Sequence, residues 1–259
     1  MDLGLRGKKA IVCASSQGLG FACARSLVRE GATVFINGRN QERLAEASRK
    51  IEKETGSSVT LVVADLNETQ GRTNLIEACP EPDILVNSNG GPPPGKFSDW
   101  SDDDWRRGLE ENFMVPVILL RAVLPGMRSR KFGRVVNITS SQVKSPLATM
   151  GLSTAARSGL TAVCKSISRE VIRDNVTINN LLPERVDTQR QMLMAKFVAE
   201  SRKISIEEAR NLQIESVAAK RMGTLQEFGD ACAYFCSEQA GYISGQNLHV
   251  DGGSYSGVF

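Results

Sequence analysis

Seven short apolar runs, each followed by a stretch with helical spacing, restrict what this chain can fold into more than any other feature. They cover residues 10–13, 33–37, 59–64, 84–87, 134–139, 177–182 and 247–250. Strands that alternate with helices pair in parallel, because each return to the sheet needs a crossover long enough for a helix. The runs are apolar throughout rather than at every second residue, the pattern of strands covered on both faces. The expectation is an α/β fold, a doubly wound parallel sheet in a single domain spanning residues 1–259. No internal repeat, low-complexity tract or linker interrupts it.

Local punctuation supports the helices. After Asn40, residues 41–54 place Leu44, Ala47 and Ile51 on one stripe and stop at Gly56. Ser101 and Asp104 have the spacing of a capping box, and Asp102 and Asp103 suit a helix N-terminus. Pro92, Pro93, Pro94 and Gly95 demand a loop, and helices are predicted over 105–127 and 152–173. Lys and Arg number 32 against 29 Asp and Glu, a net charge of +3 with the signs interspersed, which excludes neither core nor pocket but gives no nucleic-acid or membrane surface. The apolar stretches near the start and at 113–120 are too short for a signal peptide or a spanning helix. Six cysteines without framework spacing read as reduced thiols in a cytoplasmic protein. Cys232 and Cys236 share a helical face, but the single histidine, His249, lies on a separate strand, so small core residues are expected there and no metal.

The most informative loop is the first strand-to-helix turn, Cys13-Ala14-Ser15-Ser16-Gln17-Gly18-Leu19-Gly20, which opens a helix with Phe21, Ala24, Leu27 and Val28 on its apolar face. Glycines there let a pyrophosphate approach the backbone, and the helix N-terminus supplies N–H groups and a favourable dipole. At this point of an α/β pattern a dinucleotide site outweighs the competing reading, an unliganded tight turn. The second run ends in Asn37-Gly38-Arg39, with no carboxylate to accept hydrogen bonds from an NAD ribose. Arg39 stands where a guanidinium can pair with a 2′-phosphate, so NADP(H) is expected in preference to NAD(H). The competing reading of Arg39 is a solvated residue at a helix start.

These residues, and others that follow in order over nearly the whole chain, resemble the short-chain dehydrogenase/reductase family, particularly members like the 3-oxoacyl-acyl-carrier-protein reductases. The resemblance implies a Rossmann fold. The turn is similar to Thr-Gly-x-x-x-Gly-x-Gly, with Cys13 for the Thr and Ala14 for the first Gly. Asp65-Leu66 matches the pair that caps the adenine, and Asn87-Ser88-Asn89-Gly90 resembles the Asn-Asn-Ala-Gly element beneath the ribose. Asn112 matches the active-site helix Asn, and the stretch 133–140 ends on the catalytic Ser, here Ser140. Pro183-Glu184-Arg185-Val186-Asp187-Thr188 resembles the Pro-Gly-x-Val-x-Thr segment that holds the nicotinamide carboxamide, with Glu184 for Gly, and the segments 221–228 and 241–253 are similar to the C-terminal signature. The cofactor contacts this implies are Ala14, Ser16, Gln17, Gly18, Leu19, Gly20, Arg39, Asp65, Leu66, Asn87, Ser88, Gly90, Arg157, Pro183, Val186 and Thr188. The resemblance also implies a small-molecule substrate under a lid at about 188–217, and a homotetramer built on helices 105–127 and 152–173, with a dimer next.

One departure bears on chemistry. The family's catalytic Tyr should fall at position 153 and its Lys at 157, where this chain has Ser153 and Arg157. A phenol with a pKa near 10 can be tuned toward neutrality by a neighbouring cation, whereas a serine hydroxyl is far too basic once deprotonated. An arginine can grip a ribose but does not release a proton. The expected function is an NADP(H)-dependent oxidoreductase interconverting a carbonyl, 3-oxoacyl-like among the options, and a secondary alcohol. Its catalytic set would be Ser140, Asn112, Ser153 and Arg157. Lys144, Tyr255 or a water held by Ser140, Ser153 and Asn112 are the candidate proton sources. The alternatives are a catalytically impaired cofactor-binding or partner-binding protein, and a cofactor-independent lyase similar to the haloalcohol dehalogenases, which keep the Tyr and fill the nucleotide pocket. Met192, Leu193, Met194, Phe197 and Val198 fit either an apolar substrate surface or simple core.

Overall fold

The computed structural model describes residues 1–258. Its strands are β1 (Lys9–Val12), β2 (Thr33–Gly38), β3 (Thr60–Val63), β4 (Ile84–Asn87), β5 (Gly133–Ile138), β6 (Val176–Pro183) and β7 (Asn247–Val250). All pair in parallel in one sheet of order β3-β2-β1-β4-β5-β6-β7. The chain builds outward from β1 to β3, returns to place β4 on the other side of β1, and then builds outward again. That reversal opens a crevice beyond the carboxyl ends of β1 and β4, where ligands of doubly wound sheets bind.

Helices cover both faces. Against one lie α1 (Gly18–Arg29), α2 (Gln41–Thr55) and α9 (Leu225–Cys236), sharing a core that includes Leu27, Ile36, Leu44, Phe228, Cys232 and Cys236. Against the other lie α3 (Thr69–Ala78), α5 (Val115–Ser129) and α6 (Gly151–Val171), closing over Leu75, Leu85, Leu119, Leu160 and Ile178. All six cysteines are free and buried, and burial pushes the Cys13 and Cys164 thiols up to about 12, so both stay protonated at neutral pH. The Asn40 side chain accepts from Arg43 N at 2.9 Å to start α2, and Gly56, at φ +74°, stops it. Full burial of every strand does not hold. On the edge strand β3, Leu61 and Val63 are 38% and 44% exposed, because an edge strand lies at the margin of the helical layers. Among the described residues no helix is long and apolar enough to cross a membrane.

The helix expected over 105–127 is interrupted. The capping box at Ser101 starts α4 (Asp102–Leu109), with Ser101 Oγ accepting from Asp104 N at 3.2 Å and Asp104 Oδ2 accepting from Ser101 N at 3.0 Å. A single π turn, Glu110–Met114, then joins it to α5. Its cause is Pro116, which has no N–H to give Asn112 and whose ring would clash with that carbonyl in a regular helix.

Four asparagines form a ladder through the sheet. Asn87, Asn137, Asn180 and Asn247 are register partners on β4, β5, β6 and β7, and each Nδ2 donates to the next Oδ1, at 2.9, 2.9 and 2.8 Å. A buried amide is tolerated only when bonded, and the uniform direction lets each link polarise the next. Asn137→Ala would strand Asn87 Nδ2 and Asn180 Oδ1 in the core. We expect it to cost about 2–5 kcal/mol, a Tm loss of roughly 5–15 °C by calorimetry. Asn247→Ala, at the partly exposed end of the ladder, should cost less than half of that.

Candidate active site

A cavity of about 590 Å³ occupies the crevice, lined by residues that follow every strand from β1 to β6. Its nucleotide end is built on the turn from β1 to α1. Ser15 Oγ donates to Val12 O at 2.7 Å and accepts from Asn37 N at 2.9 Å, while Ser15 N donates to Asn37 O at 2.8 Å. The Asn37 side chain accepts from Ala14 N at 3.3 Å and donates to Val62 O and Ala64 O, both at 3.1 Å, so one buried amide clips the turn to β2 and β3.

The turn leaves its helix uncapped. No side chain bonds the first N–H groups of α1, whose N-cap is Gln17. Gly18 takes φ +62°, and Ala14 takes φ +44° where the sequence pattern would have glycine. Gly20 has no room for a side chain, since a Cβ there would lie 2.6 Å from Ala14 O. Free N–H groups, a backbone open to close approach and a cavity of this size fit a dinucleotide. The charged lining residues are five arginines, Arg39, Arg43, Arg157, Arg185 and Arg190, against Asp65, Glu111 and Glu184, a balance that suits phosphates. Arg39 is 72% exposed at the rim, 3.7 Å from Asp65.

The inner end is organised by Arg157. Its Nε donates to Ser153 Oγ at 3.1 Å, its Nη1 to the carbonyls of Ile138 and Thr139, and its Nη2 to Asn89 O at 3.3 Å. Ser153 and Arg157 are one helical turn apart on α6, which is why they meet. Burial, with Arg190 nearby, pulls the guanidinium down to about 10, still charged at neutral pH. Ser140 lines the same end, its Oγ accepting from Gln142 N at 3.3 Å. Glu184, the replacement for glycine, accepts from Ser141 Oγ and pairs with Arg185 at 3.2 Å, tying the segment after β5 to the end of β6.

A short-chain dehydrogenase model described as Enoyl-(Acyl carrier protein) reductase matches residues 13–255. The chain belongs to the short-chain dehydrogenase/reductase family. Its relatives in the family include an uncharacterized oxidoreductase of Bacillus subtilis strain 168, 32% identical with all of both chains covered. Another is the 3-oxoacyl-acyl-carrier-protein reductase of Vibrio harveyi, 32% identical over 98% of this chain and 99% of that one. Among solved structures, L-sorbose reductase of Gluconobacter frateurii, complexed with NADPH and L-sorbose, superposes with a TM-score of 0.93 at 28% identity, covering all of both chains.

Most residues that the short-chain pattern nominates line the cavity: Ala14, Ser16, Gln17, Gly18, Leu19, Gly20, Arg39, Asp65, Leu66, Ser88, Gly90, Ser140, Ser153, Arg157, Pro183, Val186 and Thr188. Asn87 does not, being spent in the asparagine ladder. Asn112 lies behind the wall in the π turn, with Nδ2 3.4 Å from Gly108 O and a buried Oδ1 that has no partner among the described residues. Lys144 and Tyr255 are not brought to the cavity. The Lys144 ammonium lies 5.5 Å from the Tyr255 ring, which stacks on His249 at 4.5 Å.

The segment 188–217 forms a hairpin, α7 (Gln189–Arg202) and α8 (Ile206–Glu215), packed on its own small cluster of Ala195, Ala199 and Ala209. Leu193 and Met194 face the cavity while Met192 and Phe197 are exposed, so this apolar set is not simple core. Sequence reasoning did not find Asn37, Gly91 or Arg190 as site residues. The position of Arg190, two residues past Thr188 in the first turn of α7, was the available signal.

Proposed function

We propose that this protein is an NADP(H)-dependent reductase interconverting a carbonyl and a secondary alcohol on a small molecule. The observation that carries the reading is the uncapped N-terminus of α1 over the Gly18–Gly20 turn, with Arg39 and no acid closing β2. The NADPH complex of the L-sorbose reductase supports it. Ser16, Gly18 and Gly20 would hold the pyrophosphate, Asp65 and Leu66 the adenine, Arg39 the 2′-phosphate, and Pro183, Val186 and Thr188 the nicotinamide side.

A nicotinamide cofactor held by these residues would supply the hydride, and with it both electrons, for reduction of a carbonyl carbon, while solvent would supply the proton. The chain supplies position and charge. Because Ser153 Oγ accepts the Arg157 Nε–H, its own hydrogen is free to point at the substrate oxygen together with the Ser140 hydroxyl. The buried Arg157 charge stabilises the oxygen as it becomes negative, in place of a tuned phenol. Asn112 would act behind the wall as an acceptor that orients a water. The six free cysteines support a cytoplasmic setting, and exposed Leu109 and Met114 next to α5 support assembly through that helix as a tetramer.

A second reading is favoured by one observation: among the described residues no tyrosine, lysine or histidine lines the cavity. It is a cofactor-binding protein without turnover. Fluorescence titration with NADPH and NADH, followed by single-turnover absorbance with ketones and oxo acids, separates the two. Arg39→Ala should raise the Kd for NADPH about tenfold and leave that for NADH within about twofold. Binding without consumption of NADPH would select the second reading, and no binding would overturn both.

A further inference from the structure

Among the described residues, two guanidinium groups at the inner end of the cavity have no carboxylate partner. Arg157 is buried, Arg190 is half-buried, and both line the cavity. Of the acids in that lining, Glu184 accepts from Ser141 and pairs with Arg185, Asp65 pairs with Arg39, and the Glu111 carboxyl feels the charges of Arg39 and Arg107. Burial disfavours the charge on both arginines, and the Arg190 charge adds to the cost at Arg157. Charge drawn out of water without a carboxylate partner is expensive, so a site that keeps one buried and one half-buried cation side by side is arranged for an anion it does not itself contain.

Donor counting locates that anion. Arg157 spends Nε, both hydrogens of Nη1 and one of Nη2 on Ser153, Ile138, Thr139 and Asn89, leaving one Nη2 hydrogen. Arg190 spends a single Nη2 hydrogen on Pro92 O, at 2.6 Å. The two heads flank Gly91. A Cβ placed there would stand 3.6 Å from Arg190 Nη2 and 4.0 Å from both Arg157 Nη2 and Arg190 Cζ, so the nearest atoms to it belong to the two guanidinium groups. Glycine thus leaves open a space that both arginines border.

We propose that the space over Gly91 is a carboxylate subsite formed by Arg190 and Nη2 of Arg157, and that the substrate is a short oxo acid or the corresponding hydroxy acid. One spare N–H and a guanidinium fork match the two oxygens of a carboxylate. The oxygen to be reduced would then meet Ser140 and Ser153, the latter held by the same arginine. The assignment rests on the reductase reading for its redox part and on these arginines alone for the anion. The cofactor's pyrophosphate is the other anion that such a site could take, and the test separates the two.

The experiment is calorimetric titration of wild type, Arg190→Gln and Arg190→Lys with pyruvate, acetoacetate and levulinate and with their methyl esters. It is run once with saturating NADP⁺, which cannot reduce them, and once without nucleotide. At least one acid should bind wild type about tenfold or more tighter than its ester. Arg190→Gln should erase that preference, Arg190→Lys should keep part of it, and the Kd for NADPH should stay within about twofold in both variants. Equal binding of acid and ester by wild type, or an undiminished preference in Arg190→Gln, overturns the subsite. A parallel loss of NADPH affinity in Arg190→Gln also overturns it and makes Arg190 a pyrophosphate ligand. A carboxylate preference in a protein that binds no NADPH keeps the subsite and removes the reductase reading.

Discussion

Gly20→Ala is expected to raise the Kd for NADPH by at least about a hundredfold, roughly 2.7 kcal/mol, in a fluorescence titration. The added methyl would lie 2.6 Å from Ala14 O, 3.0 Å from Cys13 O and 3.1 Å from Ala14 C, all backbone atoms. None of these can swing aside. The turn is fixed on its far side by Ser15 and Asn37, and α1 is fixed by Phe21, Ala24, Leu27 and Val28 in the core. Either the turn lifts away from the helix or the helix lifts from the sheet, and in both cases the N–H groups move off the phosphate. Overpacking of this kind also costs about 1–3 kcal/mol of stability, so the same sample should melt several degrees lower.

Gly18→Ala is the control within the same turn. A Cβ there meets only Thr188 Cγ2, at 3.9 Å, so the penalty is the left-handed backbone at φ +62° and nothing else. That penalty is about 1–2 kcal/mol, and Ala14 already bears it at φ +44°. A tenfold effect at Gly18 beside a hundredfold effect at Gly20 would establish close approach, rather than backbone conformation, as what the second glycine provides. Equal effects at the two positions would contradict it.

What could be read from the sequence depended on how local each feature is. The seven strands, the Asn40 and Ser101 caps and the glycine turn are set by residues within a few positions of one another, and all appear where the pattern puts them. The asparagine ladder depends on the register of four strands far apart in sequence, so the amides looked like unrelated strand residues, and Asn87 looked like a ribose contact. The π turn had a local signal in Pro116, which a helical reading of 105–127 passed over. Arg190 had a local cue in its nearness to Thr188, but its orientation depends on Pro92 O in a loop 98 residues away. The Tyr and Lys replacements were legible as substitutions, but not that Arg157 would spend four donors on backbone and Ser153.

That last arrangement makes Ser153 and Arg157 one unit, and they should be replaceable only together. Ser153 is 4% exposed, and its Oγ is bonded to Arg157 Nε at 3.1 Å. In Ser153→Tyr the phenol ring must leave past a guanidinium that is anchored on Ile138 O and Thr139 O, a small-to-large change expected to cost about 1–3 kcal/mol. Arg157→Lys alone exchanges a fork bonded to several acceptors for a single ammonium and leaves buried carbonyls short of donors, at about 2–4 kcal/mol. In the double variant the slimmer lysine makes room for the ring and can bond the phenol oxygen. The sum should therefore fall short of additivity by about 1–3 kcal/mol in a urea-unfolding cycle. The double variant also gains a phenol that a neighbouring cation can tune, so reduction of a bound carbonyl should accelerate tenfold or more over wild type at neutral pH. Strict additivity of the stabilities would mean that the two side chains act independently. A coupled pair with no gain in rate would mean that the cavity of this protein is shaped for a chemistry in which the buried arginine, and not a proton donor at position 153, carries the stabilisation of the substrate oxygen.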